Sequence, residues 1–253
     1  MLAVISPAKL IKEDVRYPKL LHSQPVLLDR AEELVLKLKK VSAKKLCELM
    51  DTSTDLGELN KRRYAEWHLP FTTANAIQAM LMFRGDVYRG LNADDFTKDE
   101  FAFAQNHLRI LSGIYGFLRP MDLVQPYRLM MGTPFSPSSK IKNLYQFWGD
   151  DISEFLGSEM KKDEALINLA SAEYFKAVRL KSLNRKVITC EFKELKNGKY
   201  IAVMTFAKLA RGYMARFIIK NKIDKPEYLK AFDTNGYVFN PKMSSEDLFL
   251  FTR

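Results

Sequence analysis

The chain has 253 residues, 47% hydrophobic and 28% charged, with 40 Lys and Arg against 30 Asp and Glu for a formal net charge of +10. That length and composition support a large buried core and exclude a disordered, collagenous or disulfide-built chain. The positive surplus is regional, because residues 174–230 hold 15 basic and 4 acidic residues while the rest is close to neutral.

Leu2 to Ile5 is an apolar run closed by Pro7. It reads as a buried strand whose C-terminal end opens into Ser6-Pro7-Ala8-Lys9, a natural site position. Residues 26–40 place Val26, Leu27, Ala31, Leu34, Val35 and Leu38 at helical spacing, and Ser42 then caps a second helix through Met50. Asp51-Thr52-Ser53-Thr54 breaks the chain before a third helical pattern using Leu56, Leu59, Arg63 and Trp67. Thr72 or Thr73 is read as the cap of a helix running to about Phe83. Thr97 is read as the cap of another that begins near Asp99 and continues through His107 to Ile110.

Residues 112–140, with four prolines and three glycines, mark a long ordered loop or crossover, and residues 141–160 return to a helical period interrupted at Gly149. Leu166 to Ala170, Val187 to Phe192 and Tyr200 to Phe206 are β-rich, with Lys196-Asn197-Gly198-Lys199 a hairpin turn between the last two. A helix over Ala207 to Asn221 and late strands at 237–240 and 248–252 complete the pattern. The expected fold is mixed α+β: a single compact domain over residues 1–253, with a mixed sheet surrounded by helices and a helical subregion at about 20–110.

The start of the chain lacks the basic and apolar regions of a secretory signal, and no stretch reaches the ~18 apolar residues that span a bilayer, so the expected location is the cytoplasm, without membrane contact. Cys47 and Cys190 are far apart and read as buried free thiols of a reducing compartment. His22, His68 and His107 are isolated, so no metal site and no cofactor are expected, and the P-loop, dinucleotide and nucleophile-elbow glycine patterns are absent. His107 reads as a packed histidine and Tyr145-Gln146-Phe147-Trp148 as a core anchor.

The richest polar cluster is His107-Leu108-Arg109, Arg119-Pro120-Met121-Asp122 and Gln125-Pro126-Tyr127-Arg128. Three guanidiniums close in sequence suit a phosphate or carboxylate receptor, with Asp122 orienting one of them; an internal ion-pair network holding the crossover in shape is the alternative. Lys9 follows the first strand, and Lys208-Leu209-Ala210-Arg211-Gly212 opens the helix after the hairpin. The expected cleft gathers Lys9, Arg109, Arg128, Lys208 and Arg211, with Asp86 and Asp122 as countercharges. The helix-turn-helix at Ser42 to Trp67 offers Lys39, Lys40, Lys44, Lys45, Lys61, Arg62 and Arg63 for phosphate contacts that read no bases; a hairpin that only packs on the core shows the same pattern.

At these residues the chain resembles the YaaA family of bacterial peroxide stress proteins. The resemblance covers essentially the full length. It is carried by Ile5-Ser6-Pro7-Ala8-Lys9, Phe83-Arg84-Gly85-Asp86-Val87-Tyr88, His107 to Gly116, Leu118-Arg119-Pro120-Met121-Asp122, Gln125-Pro126-Tyr127-Arg128-Leu129, Tyr145 to Asp150, Asn168-Leu169-Ala170-Ser171, Glu173-Tyr174-Phe175 and Lys208 to Gly212. It implies an unusual mixed fold with a positive cleft, binding of double-stranded DNA with little sequence preference, a helix-hairpin-helix-like element mapped onto Ser42 to Trp67, and a role in limiting free iron and oxidative DNA damage. Arg84 and Arg119 thereby join the anion-site set. Met130 departs from the family pattern, where a glutamate is common. The leading reading is noncatalytic DNA binding; the alternative is an enzyme of unknown reaction acting on an anionic small molecule in the same cleft.

Overall fold

The computed structural model describes residues 1–14, 16–17 and 19–253. Eight strands form one sheet: β1 (Leu2–Ile5), β2 (Leu108–Ser112), β3 (Gly116–Leu118), β4 (Ala165–Leu169), β5 (Lys186–Lys196), β6 (Lys199–Ile201), β7 (Val238–Phe239) and β8 (Leu248–Thr252). Their order is β7-β8-β5-β4-β1-β2-β3, with β6 pairing β5 beyond this path. The five strands from β8 to β2 run parallel, and antiparallel β7 and β3 close the edges. Every residue of β1, β2 and β4 is buried, as expected for parallel strands with both faces covered.

Helices α1 (Leu28–Leu38), α2 (Ala43–Met50), α3 (Thr54–Glu66), α4 (Asp86–Leu91) and α5 (Lys98–His107) lie between β1 and β2. In α1 the stripe Ala31, Leu34, Val35 and Leu38 is buried, following the 3.6-residue period. Ser42 accepts from the Lys45 amide and Ser53 from the Leu56 amide, so both hairpin helices carry the cap expected of them. Asp51 closes α2 in the left-handed region. A Cβ on Gly57 would lie 2.1 Å from Cys47 Sγ, so the two helices pack without a side chain between them there. Thr97 and Glu100 form a full capping box at α5.

Helices α6 (Leu144–Trp148) and α7 (Asp151–Ser158) lie between β3 and β4, and α8 (Met204–Lys220) follows β6. Trp148 is fully buried and its indole N–H donates to the Gly113 carbonyl at 3.1 Å, which makes the aromatic run the anchor it was read as. α8 packs against α4 where Gly90 meets Gly212.

Three sequence readings are corrected. Residues 72–83 are not one helix: Ile77–Gln78 pairs antiparallel with Leu123–Val124, Ala79–Met82 is a single helical turn, and Phe83–Arg84 pairs with Leu10–Ile11. Tertiary pairing overrides a local period this short. The helix capped by Thr97 ends at His107, and Leu108 to Ser112 is the strand beside β1. The hairpin's second strand is only Lys199–Ile201, and α8 starts at Met204. Its turn is as read, with Asn197 and Gly198 both at positive φ.

A cationic cleft at the carboxyl ends of the strands

The connection leaving β1 leads to β2 on one side, and the connection leaving β4 leads to β5 on the other. Adjacent strands whose continuations diverge leave a crevice outside their carboxyl ends, where α/β sheets bind ligands. Here Ser6, just past β1, and Ser171, two residues past β4, meet: the Ser171 amide donates to Ser6 Oγ at 2.9 Å and the hydroxyls lie 3.3 Å apart. A cleft of about 360 Å³ opens above them.

Five cations line it: Lys9 after β1, Arg84 and the turn into α4, Arg128 from the loop after β3, and Lys208 and Arg211 on α8. The Gly90–Gly212 crossing brings α8 close enough for the last two to face Asp86 and Arg84. Asp86 is 3.4 Å from Arg89, Arg84 is 3.7 Å from Asp94, and Glu173 Oε1 accepts from the Gly132 amide at 2.9 Å. The acids near the cleft are thus engaged, whereas Lys9, Arg128, Lys208 and Arg211 form no ion pair among the described residues.

Two guanidinium nitrogens of cleft residues, Arg128 Nε and Arg211 Nε, are buried with neither a hydrogen-bond nor an ion-pair partner, whereas Arg84 Nη2, also without a hydrogen bond, is paired with Asp94. Buried donors are nearly always satisfied, so two unpartnered guanidinium N–H groups on residues that line one cavity favour an acceptor there. Burial lowers the pKa of Arg211, opposed by Glu191, but an arginine remains charged. The apolar wall consists of Val87, Leu129, Tyr127 and Tyr174. Tyr127 is held by a 2.6 Å bond with Ser112, and burial raises both phenols far above their ordinary value, so the rings face the cleft as neutral groups.

Arg109, Arg119 and Asp122 do not join this cleft. They lie toward the opposite, amino-terminal end of β1, where Arg109 and Arg119 line a separate depression with Met1, His107, Glu159 and Glu164. Glu159 takes Arg109 Nε at 2.7 Å and Arg119 Nε at 3.0 Å. Asp122 takes Ser23 Oγ at 2.6 Å and the Arg119 amide at 2.8 Å. This is the internal network that holds the crossover. His107 stacks on Phe103 at 4.0 Å and shares a 3.0 Å bond with the Met1 carbonyl, a packed histidine.

Burial pushes Asp122 up to about 6, against the opposing pull of Ser23, the Arg119 amide and the two arginines. A carboxyl raised in the folded state binds its proton more tightly there than in the unfolded chain, so its contribution to stability falls as pH rises from about 4 to about 6. In Asp122→Asn that contribution vanishes, and urea midpoints between pH 4 and 6 should decline less with rising pH than in the wild type. Parallel wild-type and variant profiles would show that Asp122 does not titrate in this window.

The hairpin cations divide. Lys39 Nζ donates to the Trp67 carbonyl, Lys61 Nζ to the Lys39 carbonyl, Arg63 pairs with Glu13 at 2.9 Å and Lys45 with Glu48 at 2.9 Å. Lys40, Lys44 and Arg62 are exposed and form no side-chain bond among the described residues. The hairpin turn adjoins the cleft all the same: Leu49, Met50 and Asp51 share a shallow depression with Arg128, Met130 and Glu173. Met130 therefore stands where cleft and hairpin meet. Ser171, Glu173 and Tyr174 were not among the candidate site residues, whereas Ser6 and Tyr127 lay in the stretches singled out for the site. Ser171 to Tyr174 follows β4 as Ser6 to Lys9 follows β1, and that shared position was the available signal.

The fold and cleft define an α+β protein with a cationic site at the switch point of a mostly parallel sheet. A family model described as "Peroxide stress protein YaaA" matches residues 1–243, and the chain belongs to that family. A "UPF0246 protein" of Saccharophagus degradans is 51% identical over 255 residues, spanning all of this chain and 99% of the relative. Another "UPF0246 protein", of Cellvibrio japonicus, is 49% identical over 257 residues, spanning all of this chain and 98% of the relative. Among the described residues no helix is long and apolar enough to cross a membrane, and no three His, Cys, Asp or Glu side chains gather as metal ligands would.

Proposed function

We propose that this peroxide stress protein binds double-stranded DNA by neutralising its phosphates, with little dependence on sequence, and that this binding underlies a role in limiting free iron and oxidative DNA damage. The observation that carries the reading is the cationic cleft, where Lys9, Arg128, Lys208 and Arg211 form no ion pair among the described residues and Arg128 and Arg211 hold unsatisfied donors. The hairpin turn adjoins the cleft, and the same hairpin carries the exposed Lys40, Lys44 and Arg62. Arginine and lysine contacts to phosphate position a protein on a duplex without reading its bases.

Each neutralised phosphate releases condensed counterions, so duplex affinity should fall steeply with salt. In a fluorescence titration from 50 to 200 mM salt, replacing Lys9, Arg128 or Arg211 by Gln should lower both the affinity and the salt slope. A combined Lys40, Lys44 and Arg62 variant separates the hairpin's share. No duplex affinity at low salt, or affinity indifferent to salt, would sink the reading. A second reading, an enzyme acting on an anionic small molecule, is favoured by the cleft itself: 360 Å³ falls in the size range of small-ligand sites rather than of a groove that admits a duplex.

A further inference from the structure

We infer that the cleft is a phosphomonoester pocket, which takes the terminal phosphate of a nucleotide and seats the attached sugar and base on its apolar wall. The inference rests on the cleft being an anion site, as argued above, and narrows which anion it takes.

Charge is the first ground. Lys9, Arg128, Lys208 and Arg211 have no ion-pair partner among the described residues, while the acids Asp86 and Glu173 are occupied by Arg89 and the Gly132 amide. An internal phosphodiester brings one negative charge, whereas a phosphomonoester brings about −1.5 to −2 at neutral pH and three strong acceptor oxygens. Five cations against the two carboxylates Asp86 and Glu173 leave a clear positive surplus around one small cavity, which suits the second.

Donor count is the next ground. Arg128 Nε and Arg211 Nε are buried unsatisfied N–H groups from two separate parts of the chain, the loop after β3 and α8. The three terminal oxygens of a monoester can take both and still accept from Lys9 or Lys208, and charge-assisted bonds from guanidinium to phosphate are the strong kind. A diester in a continuous strand offers two free oxygens and must also thread both of its ends out of the cavity.

Shape is the last ground. The floor, Ser6 and Ser171, closes the inner end of the cleft, and Val87, Leu129, Tyr127 and Tyr174 form an apolar wall. The phenols of Tyr88 and Tyr127 are already bonded, to the Ser6 carbonyl and Ser112. A cavity of about 360 Å³ is the size of small-ligand pockets that pair an apolar wall with a few polar anchors. A cavity of this size lined by both cations and rings fits the end of a nucleotide chain or a free nucleotide.

Calorimetric titration with thymidine 5′-monophosphate, thymidine and the dinucleotide TpT lacking a terminal phosphate tests the pocket. The monophosphate should bind at least tenfold more tightly than either comparison ligand. Arg128→Gln and Arg211→Gln should each weaken it tenfold or more with melting curves that show a retained fold, Arg211→Lys should fall between, and exposed Lys162→Gln should leave it unchanged. TpT binding as tightly as the monophosphate, or no monophosphate binding at low salt, would overturn the inference. Blunt duplexes with and without 5′-phosphates separate the sources: preference for the phosphorylated ends assigns the pocket to DNA termini, and monophosphate binding without such preference assigns it to free nucleotides. Monophosphate binding without any duplex affinity would keep the pocket and remove the DNA reading. Duplex affinity with no monophosphate binding would do the reverse.

Discussion

Gly212→Val should destabilise the protein by about 4 kcal/mol or more, at the upper end of what single substitutions do, and should abolish anion binding in whatever fraction still folds. A Cβ at position 212 would lie 2.0 Å from the Val87 carbonyl oxygen and 2.9 Å from Gly90 Cα. Backbone atoms cannot rotate away as a flexible side chain can, so the added carbon must push α8 off α4, and overpacking of this kind already costs about 1–3 kcal/mol where the neighbours can adjust. Across the same contact, a Cβ on Gly90 would lie 2.3 Å from the Leu209 carbonyl oxygen. The same separation moves Lys208 and Arg211 away from Arg84 and Asp86, so stability and binding should fail together. Urea unfolding followed by tryptophan fluorescence reads the first loss, and phosphate-ligand titration of the refolded variant reads the second. A stability change below ~1 kcal/mol would show that the two helices are not in backbone contact.

Glu159→Gln should separate those two readouts. The side chain of Arg109 is 5% exposed and that of Glu159 15%, and the pair is joined by a 2.7 Å bond. Removing one partner of a buried pair strands the other's charge, which costs about 3–5 kcal/mol; the low end is expected, because Arg109 keeps bonds to the Gln105 and Leu108 carbonyls. Burial already lowers the Arg109 pKa, with Glu159 the chief group opposing it. The urea midpoint should drop, and adding Arg109→Met should restore part of it, since an uncharged pair avoids the stranded cation. Anion binding by the folded variant should be unchanged, because this network lies at the other end of the sheet from the cleft. Loss of binding in a stable Glu159→Gln protein would show that the two ends communicate.

That division between the ends of the sheet was the part least legible in the sequence. Arg109, Arg119 and Arg128 are near neighbours along the chain, but β2 carries the chain one way, antiparallel β3 returns it, and the segment after Asp122 travels back again. Arg119 is thereby brought beside Arg109, while Arg128 reaches the cleft. Reading that reversal required recognising Leu108 to Ser112 as a strand, and its apolar run continues the stripe of the preceding helix without a break. Local chemistry was readable where it is decided locally. The β1 run ending at Pro7, the Ser42, Ser53 and Thr97 caps, and the Asn197-Gly198 turn all stand where short-range rules put them. The convergence of Lys9, Arg84, Arg128, Lys208 and Arg211 depends on strand order and a glycine crossing, neither of which has a local signature.

Cys190 lies within β5, fully enclosed, and burial pushes its thiol up to about 12. The thiolate is the form that attacks peroxide, so at neutral pH this buried sulfur is withheld from the oxidant to which the family's name refers. The oxidation-sensitive surface lies elsewhere, in Met204 at 73% exposure and Met243 at 41%, whose sulfoxides form outside the core and are of the reversible kind. Two half-buried sulfurs stand closer to function, Cys47 between the hairpin helices and Met130 on the cleft, and through them an oxidant would reach the site while the core thiol stays reduced.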